Sequence, residues 1–189
     1  MNEVNNLQVE TVSFDIFSGL YNEYYPKIYK YTLYRVGDHD TAEDLVSEVF
    51  EKVLVKYYSY NPEKGKFSTW LFAIANHTII NYHNKNNRHS EFVDIEIMES
   101  NYQLEDLIIE RESKELLLQA LICLNERQRN VIALKFGAYM NNREIARMLN
   151  LTESNVGTIL YRSLKQLRDI LKAQGAVYST NCDLGCEND

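Results

Sequence analysis

The sequence predicts an all-α protein of two small helical domains joined by a flexible acidic linker, with a helix-turn-helix as the C-terminal domain. Apolar residues recur at spacings of three and four over residues 14–88 and again over 114–173, which is the period of helices with one buried face. Residues 89–113 lose this period and carry eight acidic residues, so they are predicted to be the linker. Residues 1–13 form an N-terminal extension, and residues 174–189, poor in large apolar side chains, a disordered tail. No alternating pattern indicates a strand.

Three helices are predicted in the first domain. The first starts at Phe14 and contains Pro26, which should kink it or split it in two. Asp40 with Glu43 three residues later resembles a capping box and is predicted to start the second helix. Ser68 is predicted to cap the third, after the turn cluster around residues 61–65.

The second domain shows two further capping boxes, Asn125 with Gln128 and Asn141 with Glu144. The second box opens a short helix, which is followed by a brief turn and a long helix from residue 153, the layout of a helix-turn-helix. Asn150 at the turn tolerates a positive φ. The inner face of the long helix is predicted to be Val156, Ile159, Leu160, Leu164 and Leu167.

The outer face of the long helix is polar near its start and basic further along. Short polar side chains at a helix N-terminus can reach base edges in the major groove, and later basic residues can hold phosphates. The alternative is a solvated surface, and Tyr161 could equally be a packing residue. The face consists of Ser154, Asn155, Thr158, Tyr161, Arg162, Lys165 and Arg168.

Two further surfaces are candidates in the first domain. Asp44, Ser47 and Glu48 form a stripe opposite the core face of the second helix, which suits either a basic partner helix or plain solvation. Amide and basic side chains gather on the third helix, where they could hold bases or simply face water. For Trp70, on the same helix, we favour a core position.

The net charge of −7 is unevenly distributed. Residues 114–175 hold ten basic and five acidic residues, whereas residues 91–113 hold one basic and eight acidic residues. A basic C-terminal half is suited to phosphates, while the acidic segments repel them. We therefore expect the free chain to bind DNA poorly without a partner.

Several classes of protein are disfavoured. The N-terminus lacks the pattern of a signal peptide, and no apolar run approaches the roughly 18 residues of a membrane span, so a cytoplasmic location is expected. The histidines and cysteines show no metal-ligand spacing, and no motif of hydrolases, kinases or nucleotide-binding enzymes is present, so we expect no catalytic residue, metal or cofactor. Cys182 and Cys186 are interpreted as solvated thiols, with a redox or metal switch in the tail as the alternative, and Cys123 is interpreted as a core residue.

Two long stretches resemble one known family. Residues 14–82, including AEDL and FSTWLFAIAN, are similar to the domain of sigma factors that contacts core RNA polymerase and the minus-ten promoter element. Residues 124–168, LNERQRNVIALKFGAYMNNREIARMLNLTESNVGTILYRSLKQLR, resemble the domain that reads the minus-thirty-five element. Since no further domain lies between them, the chain resembles the extracytoplasmic-function group of the sigma-70 family.

The resemblance implies a role for each matching position. Asp44, Ser47 and Glu48 match the face that docks on polymerase, with Ser47 in place of the family's usual glutamine. The minus-ten contacts would be Asn76, Asn81, Asn84, Lys85 and Arg88. The minus-thirty-five contacts would be Arg143, Glu153, Ser154, Asn155, Thr158, Arg162 and Lys165.

The resemblance also implies partners. They are core RNA polymerase, promoter DNA and an anti-sigma factor that could hold the chain at the membrane, with no small-molecule substrate. The alternative is a stand-alone helix-turn-helix transcriptional regulator, which would bind duplex DNA without polymerase.

Overall fold

The computed structural model describes residues 14–86 and 105–174, and only the backbone of 105–112. Its helices, in chain order, are α1 (Phe14–Val36), α2 (His39–Lys56), α3 (Phe67–Asn86), α4 (Glu105–Ile122), α5 (Glu126–Ile132), α6 (Asn142–Leu149) and α7 (Glu153–Ala173). A 3₁₀ turn, Tyr57–Ser59, follows α2, and a π-helical turn, Ala133–Gly137, continues α5. These ranges contain no β-strand, so the all-α prediction is confirmed.

The ends of the two predicted domains differ from the expectation or lie outside the described ranges. Helix α4 begins at Glu105, within the segment predicted as linker. The remainder of that linker, the extension 1–13 and all but the first residue of the tail 174–189 fall outside the described residues.

The N-terminal half is a three-helix unit whose core is supplied mainly by α2. One face of α2 is buried, through Ala42, Leu45, Val46, Val49, Phe50 and Val53. Gly37 makes the turn from α1 with φ 79°, a conformation that favours glycine. The side chain of Asp38 then accepts a hydrogen bond of 2.7 Å from the Thr41 backbone N–H and caps α2. The cap is thus Asp38 and not the predicted Asp40, whose carboxylate lies in the first turn, where the helix dipole favours it.

Pro26 neither splits nor ends α1, which runs from Phe14 to Val36 as one helix. An internal proline costs a helix about 3 kcal/mol. The buried residues of α1, among them Ile28, Tyr31 and Leu33, all follow Pro26. Their packing against both halves of the molecule outweighs the local penalty, because tertiary burial supplies most of a helix's stability.

Two smaller predictions for the chain are also wrong. Helix α3 begins at Phe67, so Ser68 lies in its first turn and does not precede it. Cys123 is exposed, because α4 ends at Ile122 and the apolar period around it ends there too.

The C-terminal half contains the predicted helix-turn-helix. Both capping boxes are present: Asn125 bonds reciprocally with Gln128, and Asn141 with Glu144, over 2.9–3.2 Å. Asn150 ends α6 in the left-handed conformation, φ 53° and ψ 50°, as predicted. The chain then turns directly into α7, so α6 and α7 are held as one motif.

The two halves pack directly on each other. Helix α1 lies against α4, α5 and the π-helical turn, and α3 approaches α6. Gly137 in the π turn faces the backbone of α1, where an added Cβ would lie 2.9 Å from the Tyr31 N and Cα atoms. Such a close approach of two backbones requires glycine. The sequence predicted two joined domains, and it did not predict this contact between them.

Candidate DNA and polymerase interfaces

The first turn of α7 presents polar side chains to solvent. Thr152 caps the helix, its Oγ1 accepting a hydrogen bond of 3.2 Å from the Asn155 backbone N–H. The Thr158 hydroxyl donates to the Ser154 carbonyl at 3.0 Å, which fixes the orientation of that side chain on the helix. The predicted minus-thirty-five residues of α7 are all exposed: Glu153, Ser154, Asn155, Thr158, Arg162 and Lys165.

Arg143 brings α6 into the same surface. Its Nε lies 3.9 Å from Glu153 Oε1, and the two side chains are 69% and 60% exposed. A pair this exposed contributes little to stability. It does place a guanidinium beside the first turn of α7, so the predicted residues of α6 and α7 converge on one face.

The opposite face of α7 differs from the prediction at one position. Val156, Leu160 and Leu167 are buried as expected, but Leu164 is 45% exposed. Ser163 is buried in its place and donates its hydroxyl to the Ile159 carbonyl at 2.7 Å. A buried serine is tolerated on an apolar face when its hydroxyl is paired within the helix.

Tyr161 lies on the outer face and is 71% exposed. The prediction left packing and contact with DNA equally open for this ring. With Leu164 nearby on the helix, it forms an exposed apolar element beside the basic residues. The aromatic ring is therefore free to contact a partner.

The predicted acidic stripe on α2 is exposed at Asp44, Ser47 and Glu48. The Lys52 ammonium donates hydrogen bonds to Glu48 Oε1 at 2.5 Å and to Thr78 Oγ1 at 3.0 Å. Glu48 is thereby fixed against α3, and the exposed side chain of Asp44 lies on the same face of α2.

An exposed apolar patch extends this stripe toward the C-terminal end of α2. Leu54 is 43% exposed, Val55 66% and Tyr58 71%. The sequence reasoning missed these residues because it examined only the polar members of the face. Leu54, Val55 and Tyr58 follow Glu51, an acidic residue of the same helix face, by three, four and seven residues, and this spacing would have revealed them.

The predicted minus-ten residues on α3 do not lie together. Asn84 and Lys85 are exposed at the end of the helix, and Asn81 is half-buried beside them. Arg88 lies outside the described residues. Asn76 is separated from this group and faces the C-terminal half of the molecule.

Asn76 belongs to a buried polar cluster centred on Arg35. The Arg35 side chain is fully buried, and its Nη1 donates to Tyr31 Oη at 2.9 Å, to Asn76 Oδ1 at 3.0 Å and to Asn130 Oδ1 at 2.8 Å. Its Nη2 pairs with Glu126 Oε1 at 3.2 Å. Burial raises the pKa of the Tyr31 phenol, although the Arg35 charge opposes this, so the phenol stays protonated and serves as a donor. No local pattern predicts this cluster, because Arg35, Asn76 and Asn130 are far apart along the chain.

His83 lies at the edge of the same cluster. Burial lowers the pKa of its imidazole, the guanidiniums of Arg35 and Arg129 lower it further, and Glu126 opposes them. Its Nε2 is buried without a hydrogen-bond partner among the described residues. The site therefore favours a neutral imidazole.

Trp70 lies in an aromatic group and not on an open surface. Its ring is 5.5 Å from that of Phe67 and 5.6 Å from that of Tyr60, measured between centroids. The residue is half-buried and packs against the core, which agrees with the core interpretation.

Within residues 14–86 and 105–174, no three histidine, cysteine, aspartate or glutamate side chains gather to hold a metal ion. Over the same ranges no helix combines the length and apolar character needed to span a membrane.

Comparison with known families matches most of the chain. The model of sigma-70 region 2 matches residues 20–89, and the model of sigma-70 region 4 matches residues 120–169. The N-terminal match contains α2 and α3, and the C-terminal match contains α6 and most of α7. The candidate surfaces described above therefore fall within the two matched regions.

Relatives of known class match over both regions. The chain is 31% identical over 160 residues to the ECF RNA polymerase sigma factor BldN of Streptomyces coelicolor, a match of 83% of this chain and 61% of BldN. It is 30% identical to the RNA polymerase sigma factor YlaC of Bacillus subtilis, over 82% of this chain and 91% of YlaC. The ECF RNA polymerase sigma factor SigX of Bacillus subtilis is also 30% identical, over 82% of each protein.

Solved structures show the same fold. The sigma factor RpoE, in complex with the anti-sigma factor NepR from Bartonella quintana, matches with a TM-score of 0.67 at 21% identity, covering 84% of this chain and 98% of the other. CnrH in complex with the cytosolic domain of CnrY matches with a TM-score of 0.62 at 17% identity, covering 84% and 89%. These findings do not favour a stand-alone regulator. The chain belongs to the sigma-70 family, in its extracytoplasmic-function group, and is an RNA polymerase sigma factor that directs transcription initiation at promoters.

Proposed function

We propose that the two halves of this sigma factor divide promoter recognition between them. Helix α2 docks on core RNA polymerase, the α6–α7 motif reads the minus-thirty-five element, and the end of α3 holds melted minus-ten bases. The observation that carries the proposal is the outer face of α7, where every predicted contact residue is exposed on a capped helix.

The layout of α7 suits insertion into a major groove. Ser154 and Asn155 lie in its first turn, where a recognition helix meets base edges. Arg162 follows Ser154 by eight residues, or roughly 12 Å at ~1.5 Å per residue. A cation at that distance from the base-reading end is suited to a backbone phosphate, which sets the position of the helix without reading sequence.

The face of α2 suits a partner helix with basic and apolar residues. Asp44 and Glu48 supply negative charge at one end, and Val55 and Tyr58 supply apolar area at the other. Interfaces of this kind combine an apolar centre with charged residues that set orientation. We infer that this face meets core polymerase.

The end of α3 supplies the contacts for unpaired bases. Asn84 and Lys85 are exposed there, next to half-buried Asn81. Amides can pair with base edges, and the lysine can hold the strand's phosphate. Arg88 joins this group on the resemblance alone.

We infer a cytoplasmic protein without catalytic activity, cofactor or small-molecule substrate. In two matching structures the matched protein is bound by a partner protein, and in one of them the pair is a sigma factor and an anti-sigma factor. An anti-sigma factor is accordingly proposed as a regulator of this chain, and it could hold the protein at the membrane.

The decisive experiment is run-off transcription with purified core polymerase on fragmented genomic DNA. Sequencing the transcript starts should reveal new starts that share two upstream elements. If the folded chain produces no new starts but shifts duplex DNA by itself, the proposal is wrong and the stand-alone regulator takes its place.

The docking face can be tested by reversing its charge. In the variant carrying Asp44→Lys and Glu48→Lys, affinity for core polymerase should fall at least about tenfold, because like charges placed across an interface cost several kcal/mol. Fluorescence anisotropy of the labelled sigma factor would measure the dissociation constant. Glu23→Lys, an exposed change on α1, is the control and should leave the constant unchanged. Equal affinity of the double variant and the wild type would place docking elsewhere.

A further inference from the structure

The boundary between the two halves is built around one buried cation. The guanidinium of Arg35 is fully buried, and the carboxylate that pairs with it, Glu126, belongs to the other half. Its shortest hydrogen bond, 2.8 Å, also crosses the boundary, to Asn130. A buried charge of this kind is stable only while its partners stay in place. The environment of Arg35 is therefore completed by the C-terminal half.

The shape of the boundary depends on glycine. An added Cβ at Gly137 would meet α1 backbone atoms at 2.9–3.1 Å, and one at Gly37 would meet the Ile122 side chain at 2.5 Å. Side chains of the two halves also pair near these glycine contacts. Lys66 pairs with Glu144 at 2.9 Å. The α1 backbone atoms that face Gly137 cannot move aside as a flexible side chain would. The packing of the two halves in this closed arrangement is therefore specific.

The closed arrangement also occupies a residue proposed to bind DNA. Asn76 Oδ1 accepts hydrogen bonds from Arg35 and Tyr31, and lies 3.4 Å from the Asn130 amide nitrogen. While these bonds persist, its carbonyl oxygen has no free capacity for a base. The carbonyl oxygen of Asn76 therefore serves either the boundary or a base of the promoter.

The dimensions of a promoter require the halves to separate. Elements centred about 25 base pairs apart lie roughly 85 Å apart along the duplex, at ~3.4 Å per base pair. In the closed form the two reading surfaces belong to halves in direct contact, through Lys66 and Glu144 among others. One closed molecule cannot reach both elements at once.

We propose that the Arg35 cluster is a latch that holds the free sigma factor closed and withholds Asn76 from the minus-ten strand until polymerase separates the halves. The cluster consists of Tyr31, Arg35, Asn76, Glu126 and Asn130. The proposal rests on the function proposed above, and it assigns Asn76 to the minus-ten element, as the resemblance implies.

The test uses Gly137→Ala as a wedge. The new methyl group must displace the α1 backbone, while alanine suits the helical turn itself better than glycine does. Gly157→Ala is the matched control, since nothing lies within 4 Å of a Cβ at that position in α7. Asn130→Ala is a second opening variant, which removes the latch acceptor without a wedge.

Opening is measured in the full chain by double electron–electron resonance. Spin labels are attached through Glu63→Cys in one half and Asp169→Cys in the other, after Cys123, Cys182 and Cys186 are replaced by serine. Wild type and Gly157→Ala should give one narrow, short distance. Gly137→Ala and Asn130→Ala should add a broad, longer distribution, with the open population increased about tenfold, the usual scale for loss of a buried polar partner. A broad distribution in the wild type, or unchanged distances in both opening variants, overturns the latch.

Binding of a single-stranded oligonucleotide carrying the minus-ten sequence gives the second measurement. Its affinity for the free chain should rise in Gly137→Ala by the same factor as the open population. If the distances change but this affinity does not, the withholding of Asn76 is wrong. Run-off transcription keeps the two proposals apart: an absence of new starts with intact distance changes overturns the function and leaves the latch. New starts together with unchanged distances support the proposed function and overturn the latch.

Discussion

Asn150 joins the two helices of the α6–α7 motif in a conformation that few residues adopt. With φ 53° it satisfies the end of α6 through backbone hydrogen bonds to the carbonyls of Ala146 and Arg147. Asparagine reaches this region more readily than other non-glycine residues. This is why the sequence alone could predict the conformation at this turn.

Asn150→Ala should lower the free energy of unfolding by about 1 kcal/mol, because alanine is strained at positive φ. Asn150→Gly should equal or slightly exceed the wild type, since glycine adopts the conformation without strain. Urea unfolding followed by circular dichroism would measure both. An alanine variant as stable as the glycine variant would show that the side chain, and not the backbone, sets the stability of the turn.

Tyr139 also has a positive φ, 57°, but nothing in the sequence indicated it. Its ring lies 5.3 Å from the Lys30 ammonium, and its hydroxyl accepts a hydrogen bond from that group at 3.2 Å. Lys30 belongs to the other half of the molecule. Conformations held by distant partners are not encoded in local residue preferences, and this is one reason why sequence reasoning misses them.

Helix α7 has one face buried in the core and an opposite face exposed to solvent. Val156 and Leu167 anchor it in the core, while Arg162 and Lys165 lie exposed on the outer side. The helical period was enough to predict this division. It was wrong only for Leu164, where Ser163 takes the buried position because its hydroxyl can be satisfied within the helix.

Arg162→Ala should reduce the salt dependence of DNA binding. In a plot of log affinity against log salt concentration, loss of one phosphate contact changes the slope by about one unit. Anisotropy of a labelled promoter duplex, titrated at several salt concentrations with the holoenzyme formed from core polymerase and the full chain, would measure the slope. Lys172→Ala, at the far end of α7, is the control and should leave the slope unchanged. An unaltered slope for Arg162→Ala would place this residue off the phosphate backbone.

At the scale of the whole molecule, the sequence predicted the parts but not their arrangement. Capping residues and helical period located most elements, because these signals are local. The packing of α1 on the C-terminal half depends on residues separated by about a hundred positions, such as Arg35 and Asn130. No local pattern links them, so Asn76 could be predicted as a DNA contact but not as a member of the boundary.

The boundary should make the protein sensitive to acid. His83 has a lowered pKa in the folded state, so above the ordinary histidine value of about 6.5 it is neutral in both folded and unfolded chains. As the pH falls below that value, the unfolded chain binds a proton that the folded chain resists, and the free energy of unfolding decreases. Urea midpoints at pH 7.5 and 5.5 should therefore differ less in His83→Gln than in the wild type. His77→Gln, on an exposed position, should keep the wild-type difference, and identical behaviour of the two variants would exclude His83 as the source.

The glycine at position 137 also limits how the two halves can change over evolutionary time. A side chain at this position would push against α1, so any substitution there must be accompanied by a change in the opposing helix or by loss of the closed form. Sigma factors of this group that differ at this contact could not exchange halves with this chain and retain its closed arrangement. A change in either half at this contact is therefore expected to need a matching change in the other half, although each half is proposed to read its own DNA element.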